Sequence, residues 1–211
     1  SRPEHRILDM VEFICLFTLV MEVIGAVALF FSWRGSFDST WACVYHSIFH
    51  SISAFCNAGF SLNSDSLVQY QSNIPVNIIV SGLIIFGGIG FLVAQDVGKY
   101  LWWHTFSRQG QRPRLGTHTR LVLTVTAGLL VAGFVLMFFT ETAYSQHGAP
   151  LRNRVLTAIF QSVTPRTAGF NTMPLDTATI APATGLLLMI LMFIGGSPGS
   201  TAGGIKTTTL G

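Results

Sequence analysis

A glycine-rich stretch near the end of the chain, residues 195–206, interrupts a segment that is otherwise apolar enough to enter a membrane. Five glycines and a proline follow directly on the apolar run 185–194. Lipid offers no hydrogen-bond partners to backbone groups that leave a helix, so broken backbone at membrane depth must be buried in protein or line a watery cavity. The stretch therefore predicts a path across a membrane rather than a hydrophobic anchor.

The composition of the 211-residue chain supports this interpretation. Half of the residues are apolar, 10% are charged, and the mean hydropathy is +0.55. A soluble domain carries about 25% charged residues, so this chain cannot build an ordinary water-exposed surface. We therefore expect an all-α, multi-pass membrane protein. The three cysteines are widely spaced in apolar sequence, which predicts buried free thiols rather than a disulfide framework or a metal site.

Basic residues are concentrated in one segment. Between positions 98 and 120 there is no acidic residue, and there are five basic ones: Lys99, Arg108, Arg112, Arg114 and Arg120. A basic run can bind nucleic acid, but between two apolar segments the positive-inside rule explains it more simply. We expect a cytoplasmic linker here and no nucleic-acid partner.

Four long apolar segments are predicted to cross the membrane: Met10–Phe31, Val76–Val97, Leu121–Phe139, and Pro182–Ile194 with its continuation into the glycine-rich stretch. A 22-residue helix is about 33 Å long, enough for a hydrocarbon core of about 30 Å. Two shorter segments lie between these spans, Trp41–Phe55 and Arg152–Thr164. Both are too short to cross, so they are predicted to be re-entrant half-helices.

The two half-helices end alike. With one residue of gap, the Phe-x-Ser and Ala-Gly-Phe elements of residues 49–60 align with those of residues 160–170. Gly59 and Gly169 are thereby matched. We interpret the chain as two helix–half-helix–helix repeats, residues 1–105 and 106–211, related by an axis along the membrane normal. Two repeats do not close a ring, so we expect further repeats or another subunit, and a longer polypeptide.

The chemistry of the glycine loops favours a monovalent cation. If the linker is cytoplasmic, each half-helix enters from outside and directs the partial negative charge of its C-terminus toward the centre. Small residues and a permissive glycine follow, and such a backbone can turn its carbonyls toward an ion. Neither loop contains an acidic residue, which argues against a divalent-cation site built from carboxylates.

The loop motifs and the 195–206 stretch resemble the Trk/Ktr/HKT superfamily of potassium transporters, most of all the membrane subunit of bacterial Ktr systems. The chain resembles the second and third of the four repeats found in that family. The resemblance implies channel-like potassium uptake, with potassium as cargo and without enzyme activity or a cofactor. It also implies a multi-pass location in the inner (plasma) membrane, a homodimer, and a cytosolic nucleotide-binding regulatory ring.

The resemblance also assigns residue roles. The potassium-binding filter would comprise Cys56, Asn57, Ala58, Gly59, Arg166, Thr167, Ala168 and Gly169. The intramembrane gating loop would comprise Gly195, Gly196, Ser197, Pro198, Gly199, Ser200, Thr201, Ala202, Gly203, Gly204 and Lys206.

Several roles stay open at the level of sequence. Glu22, inside the first span, either attracts cations or pairs with a neighbouring repeat. Lys206 either holds the closed gate through an acid or a carbonyl, or marks the cytoplasmic boundary. Arg166 is expected to direct its side chain away from the axis, onto neighbouring carbonyls. His46 and His50 are expected to pack rather than to bind zinc, because no third ligand is near.

Four further alternatives concern glycines and function. The Gly87-Gly88-Ile89-Gly90 group is expected to be a close-packing face between helices. A sodium-selective or sodium-coupled transporter would use the same kind of loops. A secondary transporter of a small anionic or zwitterionic solute would present half-helix N-termini to its substrate, and a scaffold subunit would tolerate bulky residues in the loops.

Overall fold

The computed structural model describes residues 3–106, 114–176 and 179–210, and the regular secondary structure of these ranges is helical. Their one β-bridge pairs Ile194 with Ile205. The helices in chain order are α1 (Pro3–Trp33), α2 (Thr40–Phe55), a 3₁₀ turn (Val68–Tyr70), α3 (Ile74–Ile89), α4 (Phe91–Phe106), α5 (Thr117–Ala143), α6 (Leu151–Val163), α7 (Pro182–Phe193) and α8 (Thr207–Leu210).

Among the described residues, two helices are long and apolar enough to cross a membrane, by length and composition. They are residues 7–33 of α1 and all of α5, each 27 residues long with a mean hydropathy of 2.5. Only 11% and 22% of their most apolar windows are buried inside the protein, so most of their apolar side chains face outward. This pattern fits helices surrounded by lipid. The first and third predicted spans are therefore correct.

The prediction of one continuous span over Val76–Val97 is wrong. The chain breaks at Gly90, where φ is +94°, and α3 and α4 meet at an angle of 105°. The break is held by the glycine-rich stretch, because the Phe91 amide donates a hydrogen bond to the Gly199 carbonyl at 2.9 Å. A Cβ on Gly90 would lie 2.7 Å from the Pro198 carbonyl oxygen. The apolar pattern runs through position 90 without interruption, so hydropathy gave no sign of this contact.

The glycines that end α3 pack closely, as expected, but their neighbours include the 195–206 stretch as well as the end of helix α2. Gly87 accepts a hydrogen bond from the Thr201 amide at 3.2 Å, and Gly88 accepts one from the Ser197 amide at 3.0 Å. A side chain on Gly87 would overlap the Phe55 carbonyl oxygen. These glycines therefore let both the end of α2 and the 195–206 stretch approach the α3 backbone.

The half-helices α2 and α6 agree with their predicted bounds to within one residue. Ser39 caps α2 by accepting a hydrogen bond from the Trp41 amide at 3.2 Å. α2 packs on α1, and α6 packs on α5.

Each half-helix approaches its long neighbour at a glycine. A Cβ on Gly25 of α1 would overlap the Ser51 hydroxyl of α2, and one on Gly133 of α5 would lie 3.1 Å from the Ser162 Cβ of α6. Without a side chain at these positions, each half-helix can lie directly against its long helix.

One hydrophobic core joins the two halves of the chain. Trp33 and Phe55 from the N-terminal half and Phe160 and Phe170 from the C-terminal half belong to the same buried cluster. Because each of these side chains is at most 1% exposed, the ends of both half-helices are held in one rigid environment.

The expectation of three buried thiols is correct for one cysteine. Cys43 is buried, whereas Cys15 and Cys56 are exposed in this chain. Of the basic linker, the side chains of Lys99, Arg114 and Arg120 are exposed. Two further linker positions, Arg108 and Arg112, lie outside the described residues.

Candidate ion-conducting site

Two loops follow the half-helices, which we term the first loop (residues 56–60) and the second loop (residues 166–170). They share an unusual backbone. In the first, φ is +50° at Asn57 and +72° at Gly59; in the second, φ is +69° at Thr167 and +82° at Gly169. In each loop, left-handed residues stand two positions apart, a conformation that residues other than glycine rarely adopt. The two loops therefore follow a similar and unusual backbone course.

The half-helices anchor the two loops in the same way. The Ser53 hydroxyl donates a hydrogen bond to the Phe60 carbonyl at 2.8 Å, and the Thr164 hydroxyl donates one to the Phe170 carbonyl at 2.6 Å. The sequence interpretation missed these hydroxyl anchors. Ser53 and Thr164 do match in the alignment of the two half-helices, provided that its one-residue gap is placed between them and the loop glycines Gly59 and Gly169. Such a bond holds the far end of each loop back against its own half-helix.

The two loops meet at their glycines. A Cβ on Gly59 would overlap the Ala168 carbonyl oxygen and lie 3.0 Å from the Gly169 Cα, and a Cβ on Gly169 would lie 3.4 Å from the Gly59 Cα. The structure thus brings together Gly59 and Gly169, which are 110 positions apart in sequence. Glycine is needed at position 59 for space as well as for backbone conformation.

The glycine strip, which we define as residues 195–206, closes on itself. Its ends pair, because the Gly195 amide donates to the Ile205 carbonyl at 3.0 Å and the Ile205 amide donates to the Phe193 carbonyl at 3.1 Å. Near its end, the Lys206 ammonium donates a hydrogen bond to the Ala202 carbonyl at 2.7 Å. A side chain on Gly195 would overlap the Gly203 carbonyl oxygen. The two ends of the strip can therefore pair only if residue 195 has no side chain.

The glycine strip is hydrogen-bonded to both loops through their left-handed residues. The Asn57 side-chain amide donates to the Thr201 hydroxyl at 3.0 Å, and that hydroxyl donates to the Phe55 carbonyl at 3.0 Å. On the other side, the Gly203 amide donates to the Thr167 hydroxyl at 3.1 Å. The strip therefore connects the ends of the two half-helices.

Arg166 is buried beside the strip. Its side chain is 8% exposed, and one of its terminal nitrogens donates a hydrogen bond to the Gly195 carbonyl at 3.2 Å. The guanidinium therefore lies on the strip, and the Arg166 backbone belongs to the second loop.

Glu22 lies behind the first loop. Its carboxylate is 3.8 Å from the Cys56 sulfur, and its backbone carbonyl accepts a hydrogen bond from the Ser51 hydroxyl at 2.7 Å. Its neighbours in this chain therefore come from α2 and the first loop, in the same half of the chain.

The two histidines of α2 pack against each other. The rings of His46 and His50 stack at 5.7 Å, and His50 is hydrogen-bonded through Nδ1 to the His46 carbonyl at 2.8 Å. Within the part of the chain that the structure describes, no three His, Cys, Asp or Glu residues are grouped as metal ligands would be. These contacts agree with the expectation that His46 and His50 pack against their neighbours.

Comparison with known proteins addresses the identity of the chain. Residues 4–210 match the family model TrkH, described as cation transport protein. The chain is 42% identical over 207 residues to the potassium/sodium uptake protein NtpJ of Enterococcus hirae, covering 97% of this chain and 43% of that protein. It is 39% identical over 208 residues to the Ktr system potassium uptake protein B of Bacillus subtilis, covering 96% of this chain and 43% of that protein.

The chain belongs to the TrkH family. Its fold agrees with the crystal structure of the potassium transporter TrkH from Vibrio parahaemolyticus, with a TM-score of 0.70 at 24% identity, over 100% of this chain and 40% of that one. A TrkH-family chain is a transporter component and not an enzyme, and a transported cation is cargo rather than a cofactor. Family and apolar helices together place it in the inner (plasma) membrane as a multi-pass protein. The chain spans less than half the length of these relatives.

Proposed function

We propose that this chain forms part of a channel-like pore for potassium uptake, in which the first and second loops are two segments of the selectivity filter. The observation that carries the proposal is the contact between the loops at Gly59 and Gly169, each with left-handed residues at matched positions. Carbonyl oxygens aligned on one side of such loops can replace the water shell of a desolvated ion. The candidate ligands are the carbonyls of residues 56–58 and 166–168.

The electrostatics of the half-helices favour a cation. α2 ends at Phe55 and α6 at Val163, immediately before the loops that meet. A helix C-terminus carries about half a negative charge, which stabilises a cation nearby. The N-termini of α2 and α6 lie at the opposite ends of these helices, away from the loop contact. This arrangement disfavours the alternative of an anionic solute bound by half-helix N-termini.

The glycine strip is proposed to be the gate. It is hydrogen-bonded to the side chains of Asn57 in the first loop and Thr167 in the second. It is built largely of residues with weak helix propensity. A strip held to its neighbours by a small number of hydrogen bonds, one to the first loop and two to the second, can change between a bound and a released arrangement. We propose that the bound arrangement blocks the path below the filter and that release opens it.

The complete pore requires more than this chain. Since two loops cannot surround an ion, we propose that the chain supplies two repeats, residues 1–105 and 106–211, of a four-repeat ring. The printed names of the relatives, potassium/sodium uptake protein and Ktr system potassium uptake protein B, support a monovalent cation as cargo. We further propose assembly as a homodimer with a cytosolic nucleotide-binding regulatory ring.

Tracer uptake tests the proposal. The intact transporter that contains this chain would be expressed in cells lacking their own potassium uptake, and uptake of labelled rubidium and sodium would be measured. We expect saturable rubidium uptake that exceeds sodium uptake. Sodium uptake alone would favour the sodium-selective alternative, and no uptake of either ion in a protein that reaches the membrane would refute a conducting role.

A further inference from the structure

The chain segments that leave the two loops are joined by a pair of hydrogen bonds. The Leu67 amide donates to the Asn171 carbonyl at 2.9 Å, and the Asn171 amide donates to the Ser66 hydroxyl at 3.1 Å. We term residues 66, 67 and 171 the loop clamp. Asn171 lies two positions beyond Gly169, so the clamp connects the N-terminal half to the very end of the second loop. Leu67 is fully buried, whereas Ser66 and Asn171 are partly exposed.

Ser66 is held in an unfavourable backbone conformation. Its φ is +60°, a left-handed value that costs a non-glycine residue free energy. Its carbonyl accepts hydrogen bonds from the Asn63 side-chain amide at 3.0 Å and from the Ser61 hydroxyl at 3.2 Å. These bonds stabilise the left-handed conformation, and that conformation presents the Ser66 hydroxyl to Asn171. The local strain thus serves a contact between the two halves of the chain.

We propose that the loop clamp sets the spacing between the first and second loops and thereby determines ion preference. This inference rests on the proposed filter function. The glycine strip holds the loops on the gate side, and each half-helix holds both the start of its loop and, through a hydroxyl, the last loop residue. On the side where the chain leaves the loops, the clamp ties residue 171 to the segment that follows the first loop. Ion selectivity by carbonyl oxygens depends on how these oxygens are spaced and held, so loosening one side of the pair changes the preference between ions.

Other hydrogen bonds hold the two halves together at a greater distance along the chain from the loops. The Gln71 side-chain amide donates to the Thr157 hydroxyl at 3.0 Å, and Arg152 donates to the Ser72 carbonyl at 2.9 Å. Together with the shared hydrophobic core, they maintain the packing of the halves when the Ser66 hydroxyl is removed. The clamp can therefore be tested without dismantling the fold.

The experiment compares Ser66→Gly with two matched controls in the intact transporter. Ser66→Gly removes the hydroxyl and tolerates the left-handed conformation. Ser64→Gly makes the same chemical change at an exposed position of the same segment. Gln71→Leu removes a bond between the halves that is not part of the clamp. The readout is the ratio of sodium to rubidium uptake, with the amount of protein in the membrane measured in parallel.

We expect Ser66→Gly to raise this ratio about threefold or more, the effect of losing a hydrogen bond of ordinary strength. Ser64→Gly and Gln71→Leu should leave it at the wild-type value. An unchanged ratio in Ser66→Gly, or an equal shift in Gln71→Leu, overturns the proposal. If Ser66→Gly is poorly made, Ser66→Ala is the second variant, and a loss of flux that only follows protein amount also overturns it. Absence of uptake in the wild type would instead contradict the proposed function.

Discussion

Replacing the two loop glycines by alanine should have unequal effects, with Gly59→Ala much more damaging than Gly169→Ala. Both glycines have positive φ, +72° and +82°, where an L residue is disfavoured by about 1–2 kcal/mol. For Gly169→Ala the new Cβ would lie 3.4 Å from the Gly59 Cα, an ordinary contact, so backbone strain is the main cost. If it is fully expressed in ion binding, this corresponds to a loss of about 5- to 30-fold in affinity.

Gly59→Ala has a second cost. Its Cβ would overlap the Ala168 carbonyl oxygen, one of the candidate ion ligands, and would lie 3.0 Å from the Gly169 Cα. Both neighbours are backbone atoms, so relief requires a movement of the second loop rather than a side-chain rotation. Such overpacking adds about 1–3 kcal/mol. We therefore expect Gly59→Ala to lose about tenfold more rubidium affinity than Gly169→Ala. We also expect Gly59→Ala to lose the preference for rubidium over sodium.

The assay is concentration-dependent uptake of labelled rubidium and sodium by the intact transporter, corrected for protein in the membrane. Gly128→Ala is the control, because a Cβ on this α5 glycine would meet no neighbouring atom of the described residues within 4 Å, and its φ is not positive. The reasoning is refuted if Gly169→Ala proves more damaging than Gly59→Ala. It is equally refuted if both behave like Gly128→Ala.

The remaining predictions concern the glycine strip. Thr201→Val removes the hydroxyl that donates a hydrogen bond to the Phe55 carbonyl, so ion flux should become leaky. Thr201→Ser keeps this hydrogen bond and should remain gated. Lys206→Met removes the hydrogen bond from the ammonium to the Ala202 carbonyl. It should increase the leak by about 10- to 150-fold, as expected for a hydrogen bond from a charged group, and tracer efflux under closing conditions measures it. Gly195→Ala places a Cβ against the opposite end of the strip and should abolish closure, and a variant that stays fully gated would contradict the gate assignment.

The long helices and the half-helices could be predicted from sequence because their signals are local. α1 and α5 are continuous apolar runs, and α2 and α6 end in recurring glycine motifs. The break at Gly90 could not be predicted in this way. It depends on the Gly199 carbonyl, which comes from another part of the chain and leaves no trace in the local hydropathy.

The contacts of the candidate site are long-range in the same sense. Asn57 and Thr201 are 144 positions apart, and sequence spacing alone contains no information that their side chains meet. The backbone conformation of Thr167 is another feature that the sequence does not predict. A β-branched residue at φ +69° contradicts local preference, so residue type alone does not place it in the left-handed region. The Gly203 amide donates a hydrogen bond to the Thr167 hydroxyl, and the Thr167 amide donates one to the Pro165 carbonyl; both contacts hold this residue.

The bond from Gly203 implies that the proposed gate and the proposed filter are energetically linked. The left-handed conformation of Thr167 costs about 1–3 kcal/mol, and a hydrogen bond contributes about 0.5–1.5 kcal/mol. Because these magnitudes are similar, losing the Gly203 bond would allow Thr167 to relax, and the carbonyls on either side of it would turn. Asn57 is joined to the strip in the corresponding position of the first loop. Movement of the glycine strip would then alter the filter carbonyls from both sides, so we infer that variants which loosen the strip change ion preference as well as leak.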